Sequence, residues 1–539
     1  MRSIFQIAGL PLLLILIIFS SAVALTVSEP NDNLNSPTWW LSYAVQQADD
    51  IKVPDCKDDA LGYLGRAQAL AGDVDGAISS ASAISQLNKR IYVYSYAAKT
   101  FYKQGNTSGY KKSIEHARLA ALSDMRIETR IFMNSKVVRT YLDCNDVDGA
   151  RSFTAALKNS SQELQANKKI AAYLACNNDI GNTDAILNSI TSKGRKETTL
   201  VEIAETCVRK GKLSIAEQMA VRLEGSKYKD RVYDKLGVAF AKKGEIKKAR
   251  SIAEIISDSM HKSSVIAAIA KYQITTGDID TGKKTALEIS YRDHKTSVYS
   301  LIAQKQADAG EIDSAVLTIK TMVKMIENIP MSADVSKFGK FDDSVKKGAV
   351  EMVYLRVAKN LAEKNDIKGY NKYISKAIAS VKTINVIPVW KGMIFGTIIE
   401  LQLETGDIEG AKKTAKEIND ELTFSYSLYN IVNAQIKKDD FAGAMATYRK
   451  ITHTTNKSFA CTEIACAFVK KNEIAKAKQI LSSLGDSSKE AAAYRETAKA
   501  FVEMGKTKEL ANWLSKISTP QARVYACIGA VDGMRKESK

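Results

Sequence analysis

Residues 236–256 read LGVAFAKKGEIKKARSIAEII, and residues 269–289 read IAKYQITTGDIDTGKKTALEI. Aligned on Gly244 and Gly277, the two stretches carry the same residue types at the same offsets. Leu236 and Ile269 stand eight positions before the glycine, and small Gly237 and Ala270 follow them. Ile246 and Ile279 come two positions after it, and Ile256 and Ile289 twelve after it. Apolar residues spaced three and four apart on both sides of a glycine describe two amphipathic helices. The glycine between them supplies the left-handed backbone that ends the first helix.

The same turn position is occupied by Gly72, Gly105, Asn145, Asn178, Gly211, Gly244, Gly277, Gly310, Asn365, Gly406, Asp439, Asn472 and Gly505. Nine of the twelve intervals are 33 residues, and the others are 40, 55 and 41. Units of this length cannot bury an apolar face alone, so they stack and share a core. The position eight before the turn is apolar in every unit but the last, where Thr497 stands. Ala77, Ala150, Ala216, Ala249, Ala315, Ala411, Ala444 and Ala477 recur five after it. No stretch alternates with the two-residue period of a strand. The expected fold is all-α: a right-handed superhelical solenoid of antiparallel helix pairs, forming one extended array that bends near residues 330–350.

This register resembles the tetratricopeptide repeat. That family has an apolar-then-small pair, a large residue four before the turn (here Phe101, Tyr141, Leu174, Phe240, Phe468 and Phe501), an alanine five after it, and apolar residues nine and twelve after it. The chain departs from it in period, 33 where the family usually has 34, and in lacking the proline near the end of the unit. Ala220, Ala253, Ala286 and Ala415 also replace the later aromatic of the second helix. Ankyrin repeats share the period, but their Thr-Pro-Leu-His-type signature is absent. The resemblance covers residues 55–520 and implies a non-catalytic protein that binds and positions other proteins.

The chain outside the repeats divides simply. Residues 1–24 read as an export signal: Arg2, an apolar run from Ile7 to Phe19, then Ala22-Val23-Ala24 as a small-x-small cleavage site. Residues 25–54 form a flexible lead and an N-terminal cap around Trp39, Trp40 and Tyr43. Residues 521–539 form a C-terminal cap and charged tail. The repeats occupy 55–327 and 350–520, and the largest insertion lies between them at 328–349. The aromatic residues Phe338 and Phe341 in that insertion, and Trp390 in a second one, are expected to contact a partner, since aromatic side chains anchor interfaces. No stretch after the signal is apolar for long enough to span a bilayer.

Enzymatic chemistry finds little support, and no catalytic, metal or cofactor residues are assigned. The four histidines include no i, i+4 pair, although His261 and His294 occupy equivalent positions in adjacent units. The seven cysteines read as small core residues, with Cys144, Cys176 and Cys207 near one another in successive units. Charge says more. Lys plus Arg number 78 against 60 acidic residues, a net +18, of which Arg2 leaves with the signal. Arg209-Lys210, Lys242-Lys243, Lys437-Lys438 and Lys470-Lys471 each precede a turn. Stacking lines them up as two basic ledges, the first broadened by Lys247, Lys248 and Arg250.

Such a field attracts an acidic protein or an anionic surface. The expected function is therefore an exported scaffold or adaptor in a periplasmic or equivalent compartment. It would hold an acidic protein within a larger complex, with an organiser of a respiratory or nitrogen-cycle enzyme assembly as the specific version. Self-association is compatible with it, and nucleic acid is not expected. The rival readings are an envelope-polymer binding or processing protein and a module for an anionic membrane surface.

Overall fold

The computed structural model describes residues 34–123, 127–157, 160–327, 341–384, 388–484 and 488–537. The export signal and Phe338 lie outside them. Of the described residues 81% are helical, and the helices in order are α1 Pro37–Asp49, α2 Pro54–Ala71, α3 Val74–Ser82, α4 Leu87–Lys103, α5 Thr107–Leu122, α6 Ile127–Asp143, α7 Val147–Ala155, α8 Ser160–Cys176, α9 Ile180–Ser189, α10 Lys193–Arg209, α11 Leu213–Val221, α12 Lys229–Lys242, α13 Ile246–Ile255 and α14 Ser259–Thr275. They continue as α15 Ile279–Leu287, α16 Arg292–Asp308, α17 Ile312–Glu327, α18 Phe341–Glu363, α19 Ile367–Lys382, α20 Pro388–Glu404, α21 Ile408–Ala415, α22 Glu421–Lys437, α23 Phe441–Tyr448, α24 Thr454–Lys470, α25 Ile474–Leu481, α26 Ser488–Glu503, α27 Thr507–Leu514 and α28 Pro520–Glu537. Even-numbered helices from α2 onward are the first helices of each pair.

All thirteen turn residues have positive φ, from 56° at Asn145 to 99° at Gly277. At each, the following residue donates its N–H to a carbonyl five positions back, as Asp73 does to Gln68 and Glu245 to Phe240. That bond closes the helix end and reverses the chain. The acid after the turn then starts the second helix: the carboxylates of Asp73, Asp146, Asp278, Asp366, Asp407 and Asp440 accept from the N–H three residues on. This is the side-chain cap that an exposed helix start requires.

The residues eight before each turn are fully buried, including Thr497. Beside them, the small position sets the spacing between first helices. A Cβ added to Gly65 would lie 2.9 Å from Val93 of the next unit, and one added to Gly237 would lie 2.8 Å from Val265. The residue four before the turn comes in two chemistries. Phe101, Phe240, Phe468 and Phe501 make it apolar, whereas Gln68, Gln273, Gln306 and Gln435 each accept a hydrogen bond from a Ser or Thr in the second helix. The Thr447 hydroxyl donates to Gln435 at 2.7 Å in a buried seam. Gln435→Leu should therefore cost about 1–3 kcal/mol by stranding that hydroxyl. Gln435→Phe combined with Thr447→Ile, the pairing used by Phe468 and Ile480, should recover most of it in urea unfolding.

The insertions lengthen helices. Extra residues make α5 and α19 each 16 residues long, against 9 in α3 and 8 in α21. Those around the largest insertion extend α17 and α18, to 16 and 23 residues. Trp390, from the second insertion, stands in the first turn of α20.

The ends of the array meet. First helices contact one another in succession from α2 to α28, and α28 contacts α2 in turn. Among the described residues α28 is a first helix without a second helix of its own, and α1 packs along it in that role. Arg523 donates to Gln47 at 2.9 Å, Arg535 donates to the Leu70 carbonyl at 2.8 Å, and Tyr525 meets Tyr63 with ring centroids 5.1 Å apart. The elements expected as two separate caps thus complete a fourteenth pair, and the extended array is a ring. Each terminal helix alone would leave an apolar face in water, which the junction buries.

Candidate partner-binding face

The inner side of the ring is fixed by a cavity of about 450 Å³ at the junction. Its lining includes Tyr63, Arg66, Tyr92, Phe459 and Tyr525, contributed by four different first helices. Tyr92, Phe459 and Tyr525 lie at one register, thirteen positions before the turn or its equivalent. Tyr63 and Arg66 lie nine and six before Gly72. These three registers share a face of a helix, so in every unit they look inward.

Read around the ring, the register thirteen before the turn divides in two. Met393, Tyr426 and Phe459 on α20, α22 and α24 are exposed, as are Tyr92 and Phe132 on α4 and α6. Phe132 keeps 59% of its surface and Phe459 keeps 49%. The rings run in series: Tyr426 to Tyr429 at 6.1 Å, Tyr429 to Phe459 at 5.9 Å, and Tyr92 to Phe132 at 6.4 Å. On α10, α12, α14 and α16 the same register holds Thr198, Arg231, Ser264 and Ser297. The arc from α10 to α16 is polar at this register, and the arc from α18 round to α6 carries most of the aromatic and methionine side chains, interrupted by Ala492 and Asp59.

Cations crowd the aromatic arc on α2 to α8. Arg66 stands over Tyr63 and Tyr96, at 5.1 and 5.9 Å, and Lys136 over Tyr92 at 5.0 Å. Partial burial pushes the Lys136 ammonium below the usual lysine range, and Lys99, Arg139 and Arg66 push it the same way. Lys169 is lowered by burial and then by Arg139. A nearby carboxylate compensates in part, with Lys99 3.2 Å from Asp143. A surface that holds like charges together over aromatic faces is prepared for an anionic group that also offers apolar contact.

The basic ledges serve a different purpose in part. Lys243 reaches 3.4 Å to the Gly211 carbonyl of the preceding unit, Lys438 reaches the Gly406 carbonyl at the same distance, and Lys471 pairs with Asp439 at 2.7 Å. Lys210 covers the Tyr173 ring. These lysines strap successive turns together. Lys248 pairs with Glu245, and Arg250 with Glu288. Arg209, Lys242, Lys247, Lys437 and Lys470 are exposed. Arg209, Lys242, Lys437 and Lys470 continue the inward register at the turn-side rim. Trp390 is 51% exposed and lies three residues before Met393 at the start of α20, in the register of cavity-lining Lys89. The Phe341 side chain lies outside the described residues.

His261 contacts Asp234 at 3.2 Å, and no group of three metal-type side chains gathers among the described residues. Nor is any described helix long and apolar enough to cross a membrane. The inner aromatics are what sequence reasoning missed: it read the large residues four before the turn, which are buried, and not the aromatics thirteen before it, several of which are exposed. The 33-residue phase carries both positions, so the signal was present in the register.

Fold and face together define a helix-pair repeat protein, a tetratricopeptide-like solenoid closed into a ring with a varied inner surface. No family model and no curated protein matches the sequence. Among solved structures, the pentatricopeptide repeat protein PPR10 from maize is 11% identical, covers 96% of this chain and 97% of its own, and has a TM-score of 0.27. The Naa15/Naa10 complex bound to HypK-THB is 14% identical over 89% of each chain, with a TM-score of 0.30. The APC/C hetero-tetramer Cut9–Hcn1 is 14% identical over 87% of this chain and 96% of that one, at 0.22.

Proposed function

We propose that this protein is a non-catalytic scaffold that holds an acidic, aromatic-bearing protein segment against its inner face. The observation that carries the reading is the crowding of Arg66, Lys99, Lys136, Arg139 and Lys169 beside exposed Tyr92 and Phe132. A carboxylate-rich segment would relieve the repulsion while its apolar side chains cover the rings. Asp59, Asp143, Glu202 and Glu205 share this face, which favours a peptide of mixed chemistry over a polyphosphate backbone. The apolar run from Ile7 to Phe19 supports export, placing the scaffold in an extracytoplasmic compartment. Length and repetition suit a subunit of a large assembly there, a respiratory enzyme being the specific version.

Capture from native extracts separates this face from the ledges. Lys136→Glu with Arg139→Glu should lower recovery of a stoichiometric acidic partner at least about tenfold, and capture by the wild type should weaken with salt. Replacing Lys242, Lys243, Lys247 and Lys248 with Glu should change recovery much less. If the second variant loses the partner and the first keeps it, docking belongs to the rim. Unchanged recovery in both removes charge-led docking altogether.

A further inference from the structure

Cys176 ends α8 and Cys207 lies two residues before the end of α10, so the two thiols meet across the seam between the fourth and fifth pairs. Their sulfurs are 2.7 Å apart, and the residues retain 2% and 0% of their surface. Neither is bonded to another cysteine in this structure. We propose that Cys176 and Cys207 are a disulfide-forming pair that straps consecutive first helices when the protein folds in an oxidising compartment.

In the folded chain the surroundings shift the two thiols in opposite directions. The Cys176 thiol is pulled down by the hydrogen bond from Cys207 and, through space, by Lys210, Arg209 and Lys212. The same bond and burial push Cys207 up. Cys144, Cys466 and Cys527 are raised by burial. Before the helices stack either thiol of the pair can open the exchange. With Cys176 as the attacking thiolate, its sulfur attacks a disulfide of a thiol–disulfide oxidoreductase, forming a mixed disulfide and releasing one donor thiolate. Cys207 then gives up its proton, and its sulfur attacks the Cys176 sulfur, expelling the second donor thiolate. One S–S bond forms in this chain and one is lost from the donor. Two electrons pass to the donor, whose thiolates take up the two protons.

The bridge joins residues 31 apart in sequence. It crosses the same seam at which Lys169 feels the like charge of Arg209, so it ties together two helices whose inner-face cations repel. Exposure of both sulfurs before the helices stack gives the donor its access, and later burial protects the product.

Oxidised glutathione as donor during refolding of the full chain, followed by alkylation in denaturant and intact-mass counting, tests the pair. Five of the seven cysteines should alkylate without reductant and all seven after reduction, with one linked peptide joining Cys176 to Cys207. Cys207→Ser should instead trap a glutathione adduct at Cys176, which shows that the thiolate is reactive even where the bridge cannot form. Seven alkylated cysteines after oxidative refolding, or a bridge that uses Cys144 in place of either partner, would overturn the assignment.

Discussion

Trp40→Ala should lower stability by about 3–5 kcal/mol, the cost of emptying a site filled by a large aromatic side chain. Trp40 is fully buried, and its indole N–H donates to the Leu34 carbonyl at 2.8 Å. It belongs to α1, whose packing on α28 completes the fourteenth pair. The loss should therefore act beyond its own cavity, because an undocked α1 bares the apolar side of α28. Urea unfolding should report the lower midpoint, and small-angle scattering should report a larger radius of gyration as the junction opens. An unchanged radius with a lowered midpoint would mean that α2 and α28 hold the ring shut without α1.

Glu351→Gln should raise stability, and the gain should grow with pH. Glu351 on α18 is 1% exposed, and its Oε1 has no hydrogen-bond partner among the described residues. Its register, fourteen before the turn, is used productively elsewhere. Asp58 there accepts from the Ser85 and Gln86 amides, and Asp230 accepts from those of Ser257 and Asp258. Those amides belong to the linker into the next pair. In the unit of Glu351 the equivalent residues, thirteen and fourteen after Asn365, lie inside lengthened α19, where helix carbonyls already occupy the amides. Burial pushes the Glu351 carboxyl from 4.5 up to about 8.

The native side chain thus stays protonated where the unfolded one ionises. Its contribution is intact below about pH 4.5 and is lost as pH rises to about 8, at ~1.4 kcal/mol per unit and up to about 5 kcal/mol in all. Urea midpoints of both proteins between pH 4.5 and 8.5 check this. The two curves should diverge steadily, and parallel curves would remove Glu351 as the cause.

Much of the architecture was legible because it is local and repeated. A left-handed turn needs Gly, Asn or Asp, and all thirteen positions read that way adopt positive φ. Closure was less legible, yet it left a trace. Counting 33 back from Gly72 reaches Trp39, and Leu41, Ala44, Ala48 and Ile51 then fall two, five, nine and twelve positions after it. Those are the offsets of a second helix, and Leu41, Ala44, Ala48 and Ile51 are all buried. The trace was hard to see because no turn residue marks it: Trp39 is inside a helix that begins at Pro37. For the inner face, composition gave the excess of lysine, but only curvature decides which register looks inward. The Gln435 and Thr447 pairing was similarly hidden, since two polar residues twelve apart resemble surface positions until their burial is known.

Closure also fixes the number of pairs. In an open stack each unit touches only its neighbours, so one repeat can be gained or lost at modest cost. In this ring the angles between successive pairs must sum to a full turn, and an extra pair would force α1 and α28 past one another. Growth by duplicating a unit is therefore barred unless every seam changes its angle slightly. Lengthening a helix within a pair is not barred, and α5, α17, α18 and α19 are where this chain has grown.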